Sequence, residues 1–336
     1  MVAHMTIKEI ARLSGVGVST VSRVLNKRPD VNEDTRGRVM EVIERYGYEP
    51  NSNAKHLKQL STDCVAVIVR GRNNLFFSGI LELLQKRIEA AGLRFLPHYI
   101  DENDDEAAAA LRVYAERKVR GIIFMGGCHT DNGAMLSRLP IPCVYSTVNA
   151  AEGYAPNVSS VSVDDRQGAK KAIDYLFDCG HENMVILSGE TQGCNMAHQR
   201  YLGVLDSFKE HGKTLESSRV LVSPFSFSCA YERIKEYTGP DYTAIFAMSD
   251  TMAIGAARAL MDSGKRVPED VSVIGYDGIE LAQYYHPALA TMRQPQQELA
   301  DRSVELLLES MDTGCAPKHI QLETELIRGA SVKHIG

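Results

Sequence analysis

The apolar positions at the amino end predict a short helix that begins at a capping box. Thr6 stands three residues before Glu9, so the hydroxyl and the carboxylate can each satisfy a backbone N–H at the helix start. The pattern breaks at Ser14-Gly15, where glycine favours a left-handed turn. The residues predicted to face the core of this helix are Ile7, Ile10, Ala11 and Leu13.

Two further helices are predicted after this turn. The second has an apolar face formed by Val16, Val21, Val24 and Leu25. A third runs to residue 45 from a cap at Asn32, with Val39, Val42, Ile43 and Tyr46 at helical spacing. Two short helices joined by a glycine turn are typical of a helix-turn-helix, whose second helix lies in the DNA major groove, although an ordinary αα-hairpin has the same pattern.

Beyond residue 61 the pattern changes to near-continuous apolar runs that alternate with amphipathic helices. Such runs are typical of parallel strands covered on both faces, so we predict two doubly wound α/β units in tandem. The predicted strands are 64–69, 94–99, 121–125, 142–146, 158–163, 184–187, 220–222, 244–247 and 271–276, with two short ones near Ile320 and Leu326. The predicted helices are 77–91, 104–118, 166–178, 195–211, 229–237, 251–263 and 297–311.

Composition narrows the class of protein. The first 60 of the 336 residues carry a net charge of +3 and the remainder −9, so a mildly basic head precedes an acidic body. One head of that charge would hold DNA weakly, which indicates that two heads act together. Seven cysteines with no CxxC spacing predict buried, reduced thiols. With neither a signal peptide nor a membrane-spanning run, the chain is expected to be soluble and cytoplasmic.

Catalytic motifs are missing from the sequence. It contains neither GxGxxG nor GxSxG, and Gly126-Gly127 after a predicted strand is too little for a dinucleotide site. His181-Glu182 begins like a zinc protease motif, but Val185 stands where the second histidine is required. We therefore expect no enzyme activity, no cofactor and no metal.

The stretches TIKEIARLSGVGVSTVSRVLN, VNEDTRGRV and GYEPNSNAKHL resemble the DNA-binding head and hinge of the lac repressor and galactose repressor (LacI/GalR) family of bacterial transcription regulators. The resemblance implies a helix-turn-helix head over residues 1–50, a hinge helix over 51–61 and a bilobed core over 62–336 that is similar to type I periplasmic binding proteins. It also implies an N-subdomain of about 62–163 plus 295–323 and a C-subdomain of about 164–294 plus 324–336.

The same resemblance implies which residues contact DNA. Base-reading candidates are Val18, Ser19, Ser22 and Arg23, and Arg23 is the strongest because its planar fork can bind guanine in a bidentate way. Thr20 and Asn26 are expected on phosphates, and Thr6 joins them at the start of the head. In the hinge, Leu57, flanked by Lys55 and Lys58, would wedge into the minor groove. Gly17 replaces the serine that is common in the family.

Open α/β sheets bind ligands beyond the carboxyl ends of their strands, so the effector site is sought there. The candidates are Phe76, Phe77, Arg200, Phe225, Asp250 and Asp277. Each has an ordinary structural alternative: the aromatic rings could pack helices, the arginine could lie on the surface, and the aspartates could cap helices. Many sugar-binding relatives carry an aspartate where this chain has Ser146-Thr147-Val148, so the usual ligand cannot be assumed.

Together these features predict a DNA-binding repressor that a small molecule controls allosterically. The expected effector is a sugar or sugar phosphate, with a purine or nucleoside as the alternative. Two heads on a homodimer would read a pseudo-palindromic operator in double-stranded DNA, and the dimer contact is expected along residues 80–88 and 251–261. A stand-alone solute-binding protein or a sugar-handling enzyme with the same core are the other classes.

Overall fold

The computed structural model describes residues 5–25, 31–46, 63–71, 74–101, 104–127, 132–150, 153–193 and 195–335. The chain divides into two compact units, Met1–Ser61 and Thr62–Gly336. We call the first the head and the second the core, and each is described by itself.

The head contains three helices around one small core: α1 (Ile7–Ser14), α2 (Val18–Leu25) and α3 (Glu33–Tyr46). Helix α1 begins at the expected capping box, and Gly15 ends it with a φ of 66°, in the left-handed region. The side chains buried in the head are Ile10, Ala11, Val21, Val24, Val31 and Val39. Two expectations were wrong, because Leu13 and Tyr46 are 42% and 47% exposed rather than packed in this core.

One six-stranded parallel sheet, which we call the N-sheet, has the order β11-β5-β4-β3-β1-β2. Its strands are β1 (Cys64–Arg70), β2 (Arg94–Ile100), β3 (Gly121–Met125), β4 (Cys143–Ser146), β5 (Val158–Val163) and β11 (His319–Leu322). The helices that accompany it are α4 (Leu75–Ala90), α5 (Glu106–Arg117), α6 (Gly133–Leu136) and α12 (Gln296–Thr313). Strands β1, β3, β4 and β5 are buried almost throughout, which explains their continuous apolar runs.

The second sheet, the C-sheet, has the order β12-β10-β9-β8-β6-β7 and is parallel except for β12. Its strands are β6 (Met184–Ser188), β7 (Val220–Val222), β8 (Ala244–Ala247), β9 (Ser272–Asp277), β10 (Ala290–Arg293) and β12 (Glu325–Ile327). Its helices are α7 (Asp165–Asp178), α8 (Met196–Glu210), α9 (Phe227–Lys235), α10 (Asp250–Asp262) and α11 (Glu280–Tyr284), with a 3-10 turn at Ser217–Arg219.

The chain passes between the two sheets three times. The passages follow β5, β10 and β11, and the second places α12 against α4 and the N-sheet. This arrangement confirms the predicted fold class of two doubly wound parallel sheets behind a helix-turn-helix head.

Several details differ from the prediction. Strand β10 and helices α6 and α11 were not predicted, because each has only four or five residues and its periodicity is too short to read. Most other elements begin or end one or two residues from the expected position. Cys64, Cys143 and Cys179 are buried thiols as expected, whereas Cys229 and Cys315 are only partly buried.

The expected dimer contact along the first core helix was also wrong as stated. Ile80, Leu84 and Ile88 are fully buried within the same protomer, and most of α10 from Thr251 to Leu260 is buried too. These side chains form the core because both helices pack against their own sheets. No helix in the described ranges is long and apolar enough to cross a membrane.

Candidate functional site

The head presents a polar face on α2, opposite its packed face. Val18 is 42% exposed, Ser19 and Arg23 are exposed, and Thr20 and Ser22 are partly buried. Since Val21 and Val24 point into the core, helical spacing directs the candidate base-reading residues outward. Thr6 is exposed, but its hydroxyl is engaged in the capping box, where it donates to Glu9 Oε2 at 2.8 Å.

Four further predicted DNA contacts cannot be compared with the structure. Asn26, Lys55, Leu57 and Lys58 lie outside the described residues. Their roles stay predictions from the sequence.

In the core, Arg200 lies at the centre of a buried charged cluster at the carboxyl ends of the C-sheet. It is 1% exposed, and its Nε donates to Asp165 Oδ1 at 2.7 Å. Its other nitrogens donate to the Met248 carbonyl and lie 3.6 Å from Asp277 Oδ1. The guanidinium also lies over the Tyr276 ring, 3.7 Å from its centroid. The surface role that was the alternative for this arginine is therefore wrong.

Asp277 ends β9 in a conformation that few non-glycine residues adopt. Its φ is 110°, and such a backbone persists only where its surroundings fix it. Gln294 supplies that restraint twice, since its side-chain Nε2 donates to Asp277 Oδ1 at 2.8 Å and its backbone N–H donates to the Asp277 carbonyl at 3.1 Å. Asp277 does not cap the following helix α11, whose N-cap residue is Ile279.

Asp250 stands at the start of α10 and is fully buried. Ser249, not Asp250, caps this helix, because its hydroxyl accepts the Met252 N–H at 3.2 Å. Asp250 Oδ2 accepts the Ile279 N–H at 2.8 Å, which ties α10 to the loop after Asp277. Within the described part of the chain, Asp250 Oδ1 has no hydrogen-bond partner.

Burial decides the protonation of these carboxyl groups. It raises the pKa of Asp250 to about 8, with a further increase from the charge of Asp277. It raises the pKa of Asp277 to about 7 although Arg200 opposes the change, and it raises the pKa of Asp165 as well. For Arg200 itself burial would lower the pKa, but Asp165 and Asp277 outweigh it and the pKa is raised. The arginine thus keeps its charge while the carboxyl groups share theirs.

Phe76 and Phe77 form a second group, at the carboxyl end of the N-sheet. Asn74 begins α4 by accepting the backbone N–H groups of both residues, at 3.0 and 3.2 Å. The two rings are buried with centroids 5.9 Å apart. Phe77 packs against Gly126, where a Cβ would stand 2.5 Å from the ring.

A buried ion pair lies next to these rings. Arg70, at the end of β1, contacts Glu106 Oε2 at 3.0 Å, and the Tyr145 hydroxyl donates to Glu106 Oε1 at 2.6 Å. Glu106 is 1% exposed and packs against Gly127. The neighbouring Thr147, at the end of β4, has a φ of 80°, which is unusual for a β-branched residue. Both sheets therefore carry a strained residue just at the carboxyl end of one strand.

Phe225 lies apart from both groups. Its ring is partly buried and packs against Gly189 and Ala197 beyond the end of β6. A groove of about 790 Å³ opens beside the charged cluster and is lined in part by Gly278 and Gln294.

Of the six predicted effector residues, the structure thus gathers Arg200, Asp250 and Asp277 in one cluster, pairs Phe76 with Phe77 in another, and leaves Phe225 separate. The residues that sequence reasoning missed are Asp165, Gln294, Tyr276, Arg70, Glu106 and Tyr145. Asp165 and Gln294 follow strands directly, so the rule used for the others could have found them. Gln294 was missed because β10 itself was not predicted.

The structure offers no metal site in the part of the chain that it describes, where no three His, Cys, Asp or Glu side chains are grouped to hold an ion.

Comparisons with known proteins come from family models, curated relatives and solved structures. The model of bacterial regulatory proteins of the lacI family matches residues 6–51, and a periplasmic binding protein-like domain matches residues 173–332. The HTH-type transcriptional regulator MalR of Clostridium butyricum is 34% identical over 339 residues, covering 98% of this chain and 100% of the relative.

Two other proteins are similar over nearly the whole chain. The HTH-type transcriptional repressor PurR of Vibrio vulnificus (strain CMCP6) is 32% identical and covers 98% of this chain and 99% of its own. Among solved structures, a transcriptional regulator CelR–cellobiose complex is similar with a TM-score of 0.71 and 28% identity, covering 97% of this chain and 99% of the other.

Proposed function

The chain belongs to the LacI family of bacterial regulatory proteins, and from this we propose that it is a transcriptional repressor controlled by a small molecule in its core. The observation that carries the proposal is the pairing, in one chain, of an exposed polar helix face on the head with a buried charged cluster at the strand ends of the core. The first is suited to double-stranded DNA and the second to a polar ligand.

Recognition of DNA is assigned to the outward face of α2. Arg23 is exposed near the end of α2, where a bidentate contact with guanine is worth about 1–3 kcal/mol of discrimination. Val18 and Ser19 face the same way and would contact neighbouring base edges. The hinge residues Leu57, Lys55 and Lys58 remain sequence-based assignments to the minor groove and the phosphates.

A homodimer supplies the second head. We assign the dimer contact to the large apolar side chains that the core leaves exposed, since burying them in a symmetric interface would be favourable. They are Leu75, Tyr99, Val222, Phe227, Leu281 and Tyr284. Tyr284 is 72% exposed, so Tyr284→Glu should weaken the dimer in sedimentation experiments, whereas Tyr46→Glu in the head should not.

Control by the effector follows from linkage. A ligand that contacts the strand ends of both sheets binds the open and closed arrangements of the core unequally, because the chain passes between the sheets only through three short segments. The same ligand then shifts the operator affinity by that difference. We assign Phe76, Phe77, Arg200, Phe225 and Asp277 to ligand contact, and we assign Asp250 to holding the Asp277 loop.

A sugar is the first effector class to consider, since the similar CelR was solved with cellobiose. A purine or nucleoside is the alternative, in which case the phenylalanines would stack on the base. A stand-alone solute-binding role is disfavoured by the lacI-type head, and the core carries no recognised catalytic motif.

Selection of duplexes from a random library at moderate salt tests the proposed function. We expect a pseudo-palindromic site with equal half-sites, and Arg23→Ala should relax the preference at one base pair per half-site while leaving the salt dependence nearly unchanged. Arg38→Ala, on an exposed position of α3, is the matched control. Absence of any preferred sequence, with and without cellobiose, would refute the proposal.

Leu57→Ala tests the hinge separately. It should weaken binding to the selected site while leaving non-specific binding unchanged, because only the kinked complex uses the wedge. Unchanged affinity for the selected site would remove this assignment.

A further inference from the structure

The charges at the strand ends define which class of small molecule the core can accept. Arg200 is already engaged by Asp165 at 2.7 Å, by Asp277 at 3.6 Å and by the Met248 carbonyl. On the N-sheet side, Arg70 contacts Glu106 at 3.0 Å. Each of these two guanidinium groups therefore has a carboxylate beside it that a phosphate would have to displace or neutralise.

The groove beside the cluster is acidic. Its lining contains two guanidinium groups, Arg293 and Arg302, and six carboxylates. The carboxylates are Glu280, Glu298, Asp301, Glu305, Glu323 and Glu325. An anion near this groove would meet like charges in a partly enclosed space, where they are poorly screened.

A ligand cation is also disfavoured in the cluster. The guanidinium of Arg200 lies at its centre, and burial raises the pKa of Asp250 to about 8, so this carboxyl group is mostly protonated at neutral pH. The remaining carboxyl groups roughly balance the arginine. Neither sign of ligand charge is compensated.

Hydrogen-bonding capacity favours a ligand with many hydroxyl groups. The polar atoms gathered here are mainly acceptors, from Asp165, Asp277 and the Met248 carbonyl, and Asp277 retains part of its side-chain surface. Hydroxyl groups both donate and accept, and so they match carboxylate oxygens without bringing a charge. A purine base has few donors to offer.

We propose that the effector site admits an uncharged polyhydroxylated ligand, an unphosphorylated saccharide, and rejects its phosphorylated form. The inference rests on the proposed function and deepens it. It follows from the paired guanidinium groups at the strand ends and the acidic groove beside them.

Matched pairs of ligands test this with the full-length protein. Thermal shift and calorimetric titration would compare glucose with glucose 6-phosphate and ribose with ribose 5-phosphate, alongside cellobiose, glucosamine and hypoxanthine. We expect at least one uncharged saccharide to bind, and its phosphate to bind roughly 100-fold more weakly, the factor for like charges about 6 Å apart at an effective dielectric constant near 20. Asp277→Asn should weaken binding of the saccharide and reduce the difference between the matched pair.

The outcomes are distinguishable from failure of the proposed function. A phosphate that binds as tightly as its parent sugar, a preference for glucosamine or hypoxanthine, or failure of every uncharged saccharide in the panel would overturn this inference. Selection of a palindromic duplex in the separate DNA experiment would still stand in each of those cases. If Asp277→Asn does not fold, the wild-type pairs alone decide the question.

Discussion

Replacing Asp250 with asparagine should make the stability of the core less sensitive to pH. The carboxyl group is fully buried, and burial raises its pKa to about 8 from the ordinary value of 3.8. Between these two values the folded protein holds a proton that the unfolded chain has released. The stabilising contribution is therefore complete below about pH 4 and is lost as the pH rises through about 8.

The size of the effect follows from the linkage relation. Each pH unit within this window costs about 1.4 kcal/mol for one group, so Asp250 should remove about 3 kcal/mol of unfolding free energy between pH 5 and pH 7. Asparagine does not titrate, but its N–H₂ group would lie where Asp250 Oδ1 has no described partner. That costs about 1–3 kcal/mol at every pH. The variant should be less stable than the wild type at pH 5 and closer to it, or more stable, at pH 8.

Urea unfolding of both proteins at pH 5, 6, 7 and 8 measures the difference directly. Asp262→Asn is a matched control, because Asp262 ends the same helix but is exposed and bound to Arg258. The pKa of Asp262 is lowered by its hydrogen bond to Arg258, so its contribution changes with pH in the opposite sense and only under acidic conditions. Equal pH slopes for wild type and Asp250→Asn would refute the reasoning.

Three glycine substitutions test other parts of the molecule. Gly17→Ser adds a side chain in open contact before α2; it should raise operator affinity about three- to tenfold through one neutral phosphate contact, without changing the salt slope in filter binding. Gly37→Ala, inside α3 with open space around the new Cβ, should stabilise the head by about 1 kcal/mol in thermal unfolding, and loss of stability would contradict this. Gly126→Ala combines a φ of 74° with a contact to Phe77 and should destabilise the core by about 2–4 kcal/mol in urea, whereas Gly264→Ala, with φ 80° and open space, should cost about 1 kcal/mol; equal losses would contradict the packing argument.

Much of the fold was predictable because it depends on local chemistry. The capping box at Thr6 and the left-handed Gly15 set the limits of α1 whatever surrounds them. Strands such as Gly121–Met125 and Val158–Val163 were predicted to the residue, since strands buried on both faces must be apolar throughout. The short strand β10 carried no such signal.

The sequence by itself determined the order of the elements, the helix-turn-helix head and the rule that ligand contacts follow strands. Only the tertiary structure decided which of those contacts meet. Arg200, Asp165, Asp277 and Gln294 are far apart along the chain and come together because parallel strands end at the same edge of a sheet. Whether a carboxyl group is charged depends on the water and the charges around it in the fold, so the protonation of Asp250 could not be read from its position in the chain.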